Sequence, residues 1–335
     1  QSEGEGTGVV GPRVSGATAT TSVFVPSSSP TLANFPSQSV VDASGNLWVV
    51  SNDNPGTYLT RIAPNGTAEI VWTLSTTPVP SPSDCTDTRN YGITEHGGRI
   101  YWTCYQSAVY SIAENVVAPA TTADITLEVS GGGAYFGGVA VAPNGDIYIS
   151  EWGSHLYKHQ AGAPTGTVTT VATPVQATDL WAMAFGVDGN LYIGSDSQIY
   201  MVDVAGGTDA VTLYFAYAAA SHWIGGLGFV PGTLDIVTSD TGYGQAGYGV
   251  DLITNNGAVG VFGAALVPGT DPLVQNSTGL AVAPDGTIYV TITNAGSIHA
   301  VTKITGAVTP GTTSTTAPSS TTTSGSTPVV PSFTG

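Results

Sequence analysis

A short turn-and-strand signature recurs six times along the chain. It reads Ser44-Gly45-Asn46-Leu47-Trp48, Gly97-Gly98-Arg99-Ile100-Tyr101, Asn144-Gly145-Asp146-Ile147-Tyr148, Asp188-Gly189-Asn190-Leu191-Tyr192, Pro231-Gly232-Thr233-Leu234-Asp235 and Asp285-Gly286-Thr287-Ile288-Tyr289. The signature glycines at 45, 98, 145, 189, 232 and 286 are 53, 47, 44, 43 and 54 residues apart. That is the period at which one four-stranded propeller blade repeats. A unit of this size cannot cover both faces of its own sheet, so the copies must stack. Six copies predict an all-β, six-bladed β-propeller of four-stranded antiparallel blades, with extended segments at both ends.

Within each copy two short apolar runs flank the glycine turn, most clearly at Gly138 to Pro143 and Asp146 to Ser150. Asn-Gly or Asp-Gly between such runs is a hairpin signal, because the tight primed turns need positive φ at their centre. Third strands are expected at Tyr58 to Ile62, Ala108 to Ile112, Gln198 to Val202 and Ser297 to Val301. Fourth strands are expected at Ala68 to Leu74, Thr167 to Ala172 and Val211 to Phe215. Inner strands such as Gly226 to Phe229 and Gly279 to Val282 are small and aliphatic, which suits the crowded wall of a central channel. No segment keeps a helical period, so helix should be nearly absent.

The sixth copy lacks an obvious fourth strand, while Thr21 to Val25 supplies a spare one. That strand is expected to close the ring as the outer strand of the last blade, because an edge would otherwise stay unpaired. The domain reading is an N-terminal segment over 1–20, a propeller over 21–305, and a Thr/Ser/Pro-rich tail over 306–335.

Charge places further limits. Six Lys and Arg face 23 Asp and Glu, a net charge of −17, so the chain should repel nucleic acid and anionic membrane surfaces. Only 9% of residues are charged, and Thr, Ser, Gly and Ala dominate, a pattern of exported surface proteins. Together with Gln1 in first position and no apolar run long enough to span a bilayer, this reads as a mature secreted chain at the cell surface. In that oxidising setting Cys85 and Cys104 are expected to form a disulfide closing a loop of about 20 residues. Two cysteines without CxxC spacing or a histidine cluster make a poor metal site. Asn65-Gly66-Thr67 and Asn276-Ser277-Thr278 fit the N-glycosylation pattern, making Asn65 and Asn276 candidate acceptors in a glycoprotein.

The tail has too little apolar surface to offset its own ordering entropy, so any order it takes must come from another surface. Val329, Val330 and Phe333 near its end are the candidate anchors for strand addition, with Val23, Phe24 and Val25 as the exchanged strand if the other terminus crosses instead. Passing a segment from each copy to the next gives a heterologous contact and hence a ring or filament.

The blade signature resembles the NHL and SMP-30/gluconolactonase-like six-bladed propellers. Glu151-Trp152-Gly153-Ser154 with Leu156-Tyr157-Lys158 resembles the repeat of streptogramin lyases. The likeness covers roughly residues 36 to 305 and is carried by turn and strand positions. The lactonase branch implies carboxylates and amides converging on one divalent cation at the channel mouth. The ends of the second strands offer Asn52, Asp53, Tyr105, Glu151, Asp196, Asp240 and Asn294, whose oxygens suit a hard cation such as calcium. Against this stands a structural role for each, bonding the turn that follows. The lyase branch implies a Glu and a His one residue apart; Glu95-His96 and Glu151 with His155 do not have that spacing. Tyr135, Phe136, Trp181, His222 and Trp223 lie where the chain enters blades three to five and are candidate ligand-face aromatics for a sugar ring or a partner side chain.

Three readings stay open: a non-catalytic extracellular subunit that needs no cofactor and assembles with copies of itself, a secreted metal-dependent lactonase or lyase, and a module that binds glycans or protein.

Overall fold

The computed structural model describes residues 19–25, 35–53, 56–74, 77–80, 92–104, 107–131, 135–151, 153, 155–171, 180–217, 223–240, 249–257, 259–267, 271, 273–274, 277–293 and 299–311. Strand β1 (Thr20–Val25) comes first. Blade 1 is β2 (Phe35–Val41), β3 (Leu47–Asp53), β4 (Gly56–Ile62) and β5 (Ala68–Thr73). Blade 2 is β6 (Ile93–His96), β7 (Arg99–Cys104), β8 (Ala108–Ala113) and β9 (Ile125–Ser130). Blade 3 is β10 (Phe136–Val141), β11 (Ile147–Glu151), β12 (Leu156–His159) and β13 (Thr169–Val171). Blade 4 is β14 (Leu180–Phe185), β15 (Leu191–Ser195), β16 (Gln198–Val202) and β17 (Val211–Ala216). Blade 5 is β18 (Ile224–Phe229), β19 (Ile236–Asp240), β20 (Val250–Asn256) and β21 (Val259–Val267). Blade 6 is β22 (Ser277–Val282), β23 (Ile288–Thr293) and β24 (His299–Thr305).

Every sheet is four-stranded and antiparallel, and the sixth has the order β1-β24-β23-β22. The N-terminal strand therefore lies outermost in the last blade, with Thr20 opposite Thr305 and Val23 opposite Thr302. Among the described residues the helical content is one 3-10 turn at Thr122–Asp124. The last third strand is described from His299 to Thr305 and runs past the expected end at Val301, because Ile288 pairs with Ile304; Ser297 lies outside the described residues.

The apolar side chains form six clusters, and each lies between two neighbouring blades. Trp72 of blade 1 meets Trp102 of blade 2 at 5.4 Å between rings. Val109 and Val129 meet Phe136 and Ile149, Tyr148 and Leu156 meet Leu191 and Tyr200, and Tyr192 and Tyr214 meet Ile224 and Ile253. Val237 and Leu252 meet Ile288 and Val290, and Tyr289 with Val25 meets Leu47 and Val49. Side chains alternate across a strand, so a sheet buried on both faces sends odd residues to one neighbour and even residues to the other. In β11 Ile147 and Ile149 serve the blade 2 side and Tyr148 the blade 4 side.

The hairpin turns are held by Asx contacts. Asp42 accepts from the backbone N–H of Ser44 and Asn46 and from Trp48 Nε1, and Asp188 and Asp285 accept from Asn190 and Thr287. Gly45, Gly98, Gly145, Gly189, Gly232 and Gly286 all have positive φ, between 75° and 89°. At the ring's centre the inner strands approach too closely for a side chain: a Cβ on Gly279 would stand 2.2 Å from Ser37 O, and one on Gly138 2.3 Å from Trp181 O.

The propeller's core extends past Thr305. Ala307 and Val308 are buried in the cluster between blades 5 and 6, and Gly311 N–H donates to Pro231 O at 2.8 Å.

Candidate functional site

Each inner strand begins, and each second strand ends, on one face of the disc, where the channel opens. Register shifts mark the inner strands there, between Pro36 and Ser39, Phe136 and Val139, Leu180 and Met183, Ile224 and Gly226, and Ser277 and Gly279. Such a bulge turns backbone groups out of the ladder, and they need other partners. Hydroxyls near the ends of the second strands supply them. Ser150 Oγ accepts from Gly138 N–H at 2.7 Å and donates to Leu180 O of blade 4 at 2.6 Å. Thr103 Oγ1 accepts from Gly92 N–H and donates to Gly137 O of blade 3 at 2.8 Å. Thr291 Oγ1 donates to Ser37 O of blade 1, closing the same pattern across the seam. Sequence alone does not single out these hydroxyls, because Ser and Thr in a strand look like ordinary β-formers.

Gln38 lies in the bulge of blade 1 and is almost fully buried. Its carboxamide donates to Gly225 O of blade 5 and to Thr278 O of blade 6 at 3.1 Å. One side chain thus ties three blades together beside the channel.

Three of the candidate metal ligands bond within their own blades. Asn52 Nδ2 donates to Ser37 Oγ at 2.9 Å and is buried. Asp240 is buried, and its Oδ1 accepts from Trp223 N–H at 3.0 Å, so it fixes the start of its own inner strand. Glu151 Oε2 lies 2.8 Å from His155 Nδ1 and accepts from Tyr157 O–H at 3.0 Å, with the His155 and Tyr157 rings stacked. Burial, and then the bond to Glu151, pushes Tyr157 up to about 12. The backbone carbonyl of Asp196 accepts from Ile224 N–H at 3.0 Å. Asn294 and Tyr105 lie outside the described residues, as does the side chain of Asp53. Among the described residues no group of three His, Cys, Asp or Glu is placed to hold a metal ion.

Two candidate aromatics meet. Trp181, which stands inside β14 and not in a loop, packs edge-on to Trp223 at 5.9 Å. Phe136 is fully buried between blades 2 and 3 against Tyr157, while Tyr135 beside it is 45% exposed. His222 lies outside the described residues. The tryptophan pair thus stands at the starts of the inner strands of blades 4 and 5, and the Asp240 carboxylate holds the Trp223 backbone.

Four cations are described, and all are engaged with side chains. Arg61 sits over Trp48 and bonds Glu69 at 2.6 Å; Lys158 sits over Tyr148 and bonds Asp209 at 2.9 Å; Lys303 sits over Phe24 and Tyr289. These three are cross-strand neighbours of their aromatics, Trp48 with Arg61, Tyr148 with Lys158 and Tyr289 with Lys303. Burial lowers Lys158, but bonds to Tyr148 and Asp209 outweigh it and raise its pKa overall. Arg99 donates to Ser111 and Thr126.

Of the remaining candidates, Cys104 is buried at the end of β7, no described cysteine is free, and Cys85 lies outside the described residues. Asn65 is exposed in the β4–β5 turn, where its Oδ1 accepts from Thr67 N–H; Asn276 lies outside the described residues. Val25 is buried, Phe24 packs on Tyr289 at 5.0 Å, and Val23 is 49% exposed, so two of these three belong to the molecule's own seam. Val329, Val330 and Phe333 lie outside the described residues. No described helix is long and apolar enough to cross a membrane.

No protein-family model matches the chain, and no curated protein matches its sequence. Solved structures do. Virginiamycin B lyase from Staphylococcus aureus superposes with a TM-score of 0.57 at 12% identity, over 86% of this chain and 98% of that one. A protein assigned as a gluconolactonase gives 0.56 at 14% identity over 87% and 92%. The PQQ-bound aldose sugar dehydrogenase from Streptomyces coelicolor gives 0.56 at 13% identity over 88% and 99%. At these identities the likeness is one of fold: the chain is a six-bladed β-propeller built like the streptogramin lyase and gluconolactonase-like propellers.

Proposed function

We propose that this chain is a non-catalytic extracellular building block that associates with copies of itself through the outer edge of blade 5. One observation carries the reading. Strand β21 is nine residues long, stands last in its sheet, and reads Val-Gly-Val-Phe-Gly-Ala-Ala-Leu-Val. Val259, Val261 and Phe262 on it are 43–49% exposed, and Leu213 on the neighbouring β17 is 50% exposed. No charged residue lies between Asp251 and Asp271. Soluble proteins blunt such edges with lysines, prolines or very short strands, since an open apolar edge templates pairing with another chain. Here the net charge of −17 is kept off this strand, leaving it free to pair.

The scarcity of charge and the hydroxyl-rich surface support an exported location. The engagement of Glu151, Asp240 and Asn52 inside their own blades supports a structural use of those groups. Sedimentation velocity of the full chain over a concentration series tests the reading. It predicts species larger than 33.8 kDa that grow with concentration; a single monomer at every concentration contradicts it.

A second reading is favoured by the Trp181–Trp223 pair at the starts of two inner strands, whose faces suit a sugar ring. Titration of tryptophan fluorescence with neutral oligosaccharides tests it, and a Trp223→Ala variant that responds as the parent does rules it out.

A further inference from the structure

The described chain ends beneath blade 5. Gly311 is bonded to Pro231 in the β18–β19 turn, and Asn255 N–H bonds Asp235 Oδ1, so the β18–β19 and β20–β21 turns share one face. Strand β21 leaves that face at Val259 and reaches the opposite face at Val267, which pairs with Val250 beside Ser239. Residues 312–335 thus depart from the face where β21 begins.

We infer that the acceptor edge β21 is filled by the C-terminal segment Val329–Phe333 of a second copy, added as a fifth, antiparallel strand. This rests on the assembly reading above and names its partner. Every blade alternates direction, so an added strand should run from the Val267 end towards the Val259 end. For a molecule's own tail that starting point is about 30 Å up β21 and about 14 Å out across three strands. The linker over 312–326 has a root-mean-square span of roughly 20 Å as a flexible coil, so reaching that point on its own blade would need it drawn out towards its extended limit of about 50 Å. In a head-to-tail stack of discs the tail leaves one copy's turn face directly above the next copy's channel face, where that strand must start. The polarity therefore favours the neighbour over the tail's own blade.

The tail's chemistry fits the edge. Val329, Val330 and Phe333 are the apolar residues to set against Val261 and Phe262. If Pro331 points away from β21, Val330 and Ser332 direct their N–H groups towards it, and Pro328 falls at the strand's first position, where proline is tolerated. Pro331 then blunts the new outer edge, so addition stops at one strand.

Complementation between full-length variants tests this. One carries Val330→Asp with Phe333→Asp, the other Val261→Asp with Phe262→Asp, so that the two altered surfaces also repel each other. Each alone should lose assembly, with apparent affinity weakened about 30-fold or more, as expected for removal of an interface anchor. Mixed, they should form dimers and nothing larger, because one intact tail meets one intact edge. Circular dichroism matching the parent shows that both variants fold. If the tail variant still assembles while the edge variant does not, edges pair directly, and the tail proposal fails while the assembly reading stands. If the parent itself stays monomeric, both fail. If both variants lose assembly but no mixed dimer forms, the tail acts on its own blade and the exchange between copies is overturned.

Discussion

Replacing Ser150 by alanine removes one oxygen from a site where it serves two blades. The hydroxyl is fully buried, accepts from Gly138 N–H at 2.7 Å and donates to Leu180 O at 2.6 Å. Neither backbone group gains access to water when the oxygen goes, and leaving a buried polar group unsatisfied costs about 1–3 kcal/mol. Two such groups put the expected loss at about 2–6 kcal/mol. With an unfolding entropy of about 2.1 cal/mol/K per residue over 335 residues, that lowers Tm by roughly 3–9 °C. Ser239 provides the control. It occupies the same next-to-last position of the second strand in blade 5, is equally buried, and its Oγ has no hydrogen-bond partner among the described residues. Ser239→Ala therefore removes an unsatisfied oxygen and should leave stability unharmed or raise it, by up to about 1–3 kcal/mol. Guanidinium denaturation of both variants beside the parent measures the contrast. Equal effects of the two substitutions would refute the idea that these hydroxyls act by satisfying bulged backbone across blades.

Alkali should unfold the propeller through its buried tyrosines. Burial first, then the neighbouring carboxylates, pushes Tyr148, Tyr157 and Tyr214 up to about 12. A raised tyrosine contributes stability that is complete below the unfolded value near 10 and is lost as pH rises towards 12, up to about 2.7 kcal/mol each. Absorbance at 295 nm, compared with that of the Tyr148→Phe, Tyr157→Phe and Tyr214→Phe variants, should show these residues ionising only with unfolding, and a reversible step near pH 10 that disappears in one of these variants would refute its assignment. Gly279→Ala places a methyl 2.2 Å from Ser37 O and 2.7 Å from Gln38 Cα, backbone that cannot rotate away, and should cost about 3 kcal/mol or more. A melting curve like that of the parent would show that the seam between blades 6 and 1 is looser than described. Non-reducing peptide mass spectrometry should find Cys85 linked to Cys104, and alkylation of both thiols without reduction would remove that bridge.

The fold was legible because its rule is local. Glycines with positive φ at Gly45, Gly145, Gly189 and Gly286, each beside an Asp or Asn, mark the hairpins wherever they occur. The N-terminal strand could be read as a missing partner, since Val301 to Ile304 had no outer neighbour in the sequence. Features that depend on where strands meet were hidden. Gln38 looks like a polar interruption of an inner strand until the bulge turns it towards Gly225 and Thr278. Strand β21 escaped notice because Gly260 and Gly263 break its alternation, and it is the ladder with β20 that defines it. The carboxylates at the strand ends were visible as residues but not as contacts: that Asp240 accepts from Trp223 N–H, and Glu151 from Tyr157 beside His155, depends on how the strands meet.

Hydrogen exchange at β21 tests the central claim most directly, because it reads whether the outer edge of blade 5 is occupied. In concentrated solution the amides of Val259–Val267 that point away from β20 should be protected, and dilution or Phe262→Lys should release them. Outward amides that exchange at unprotected rates at every concentration would contradict an edge built to receive another copy.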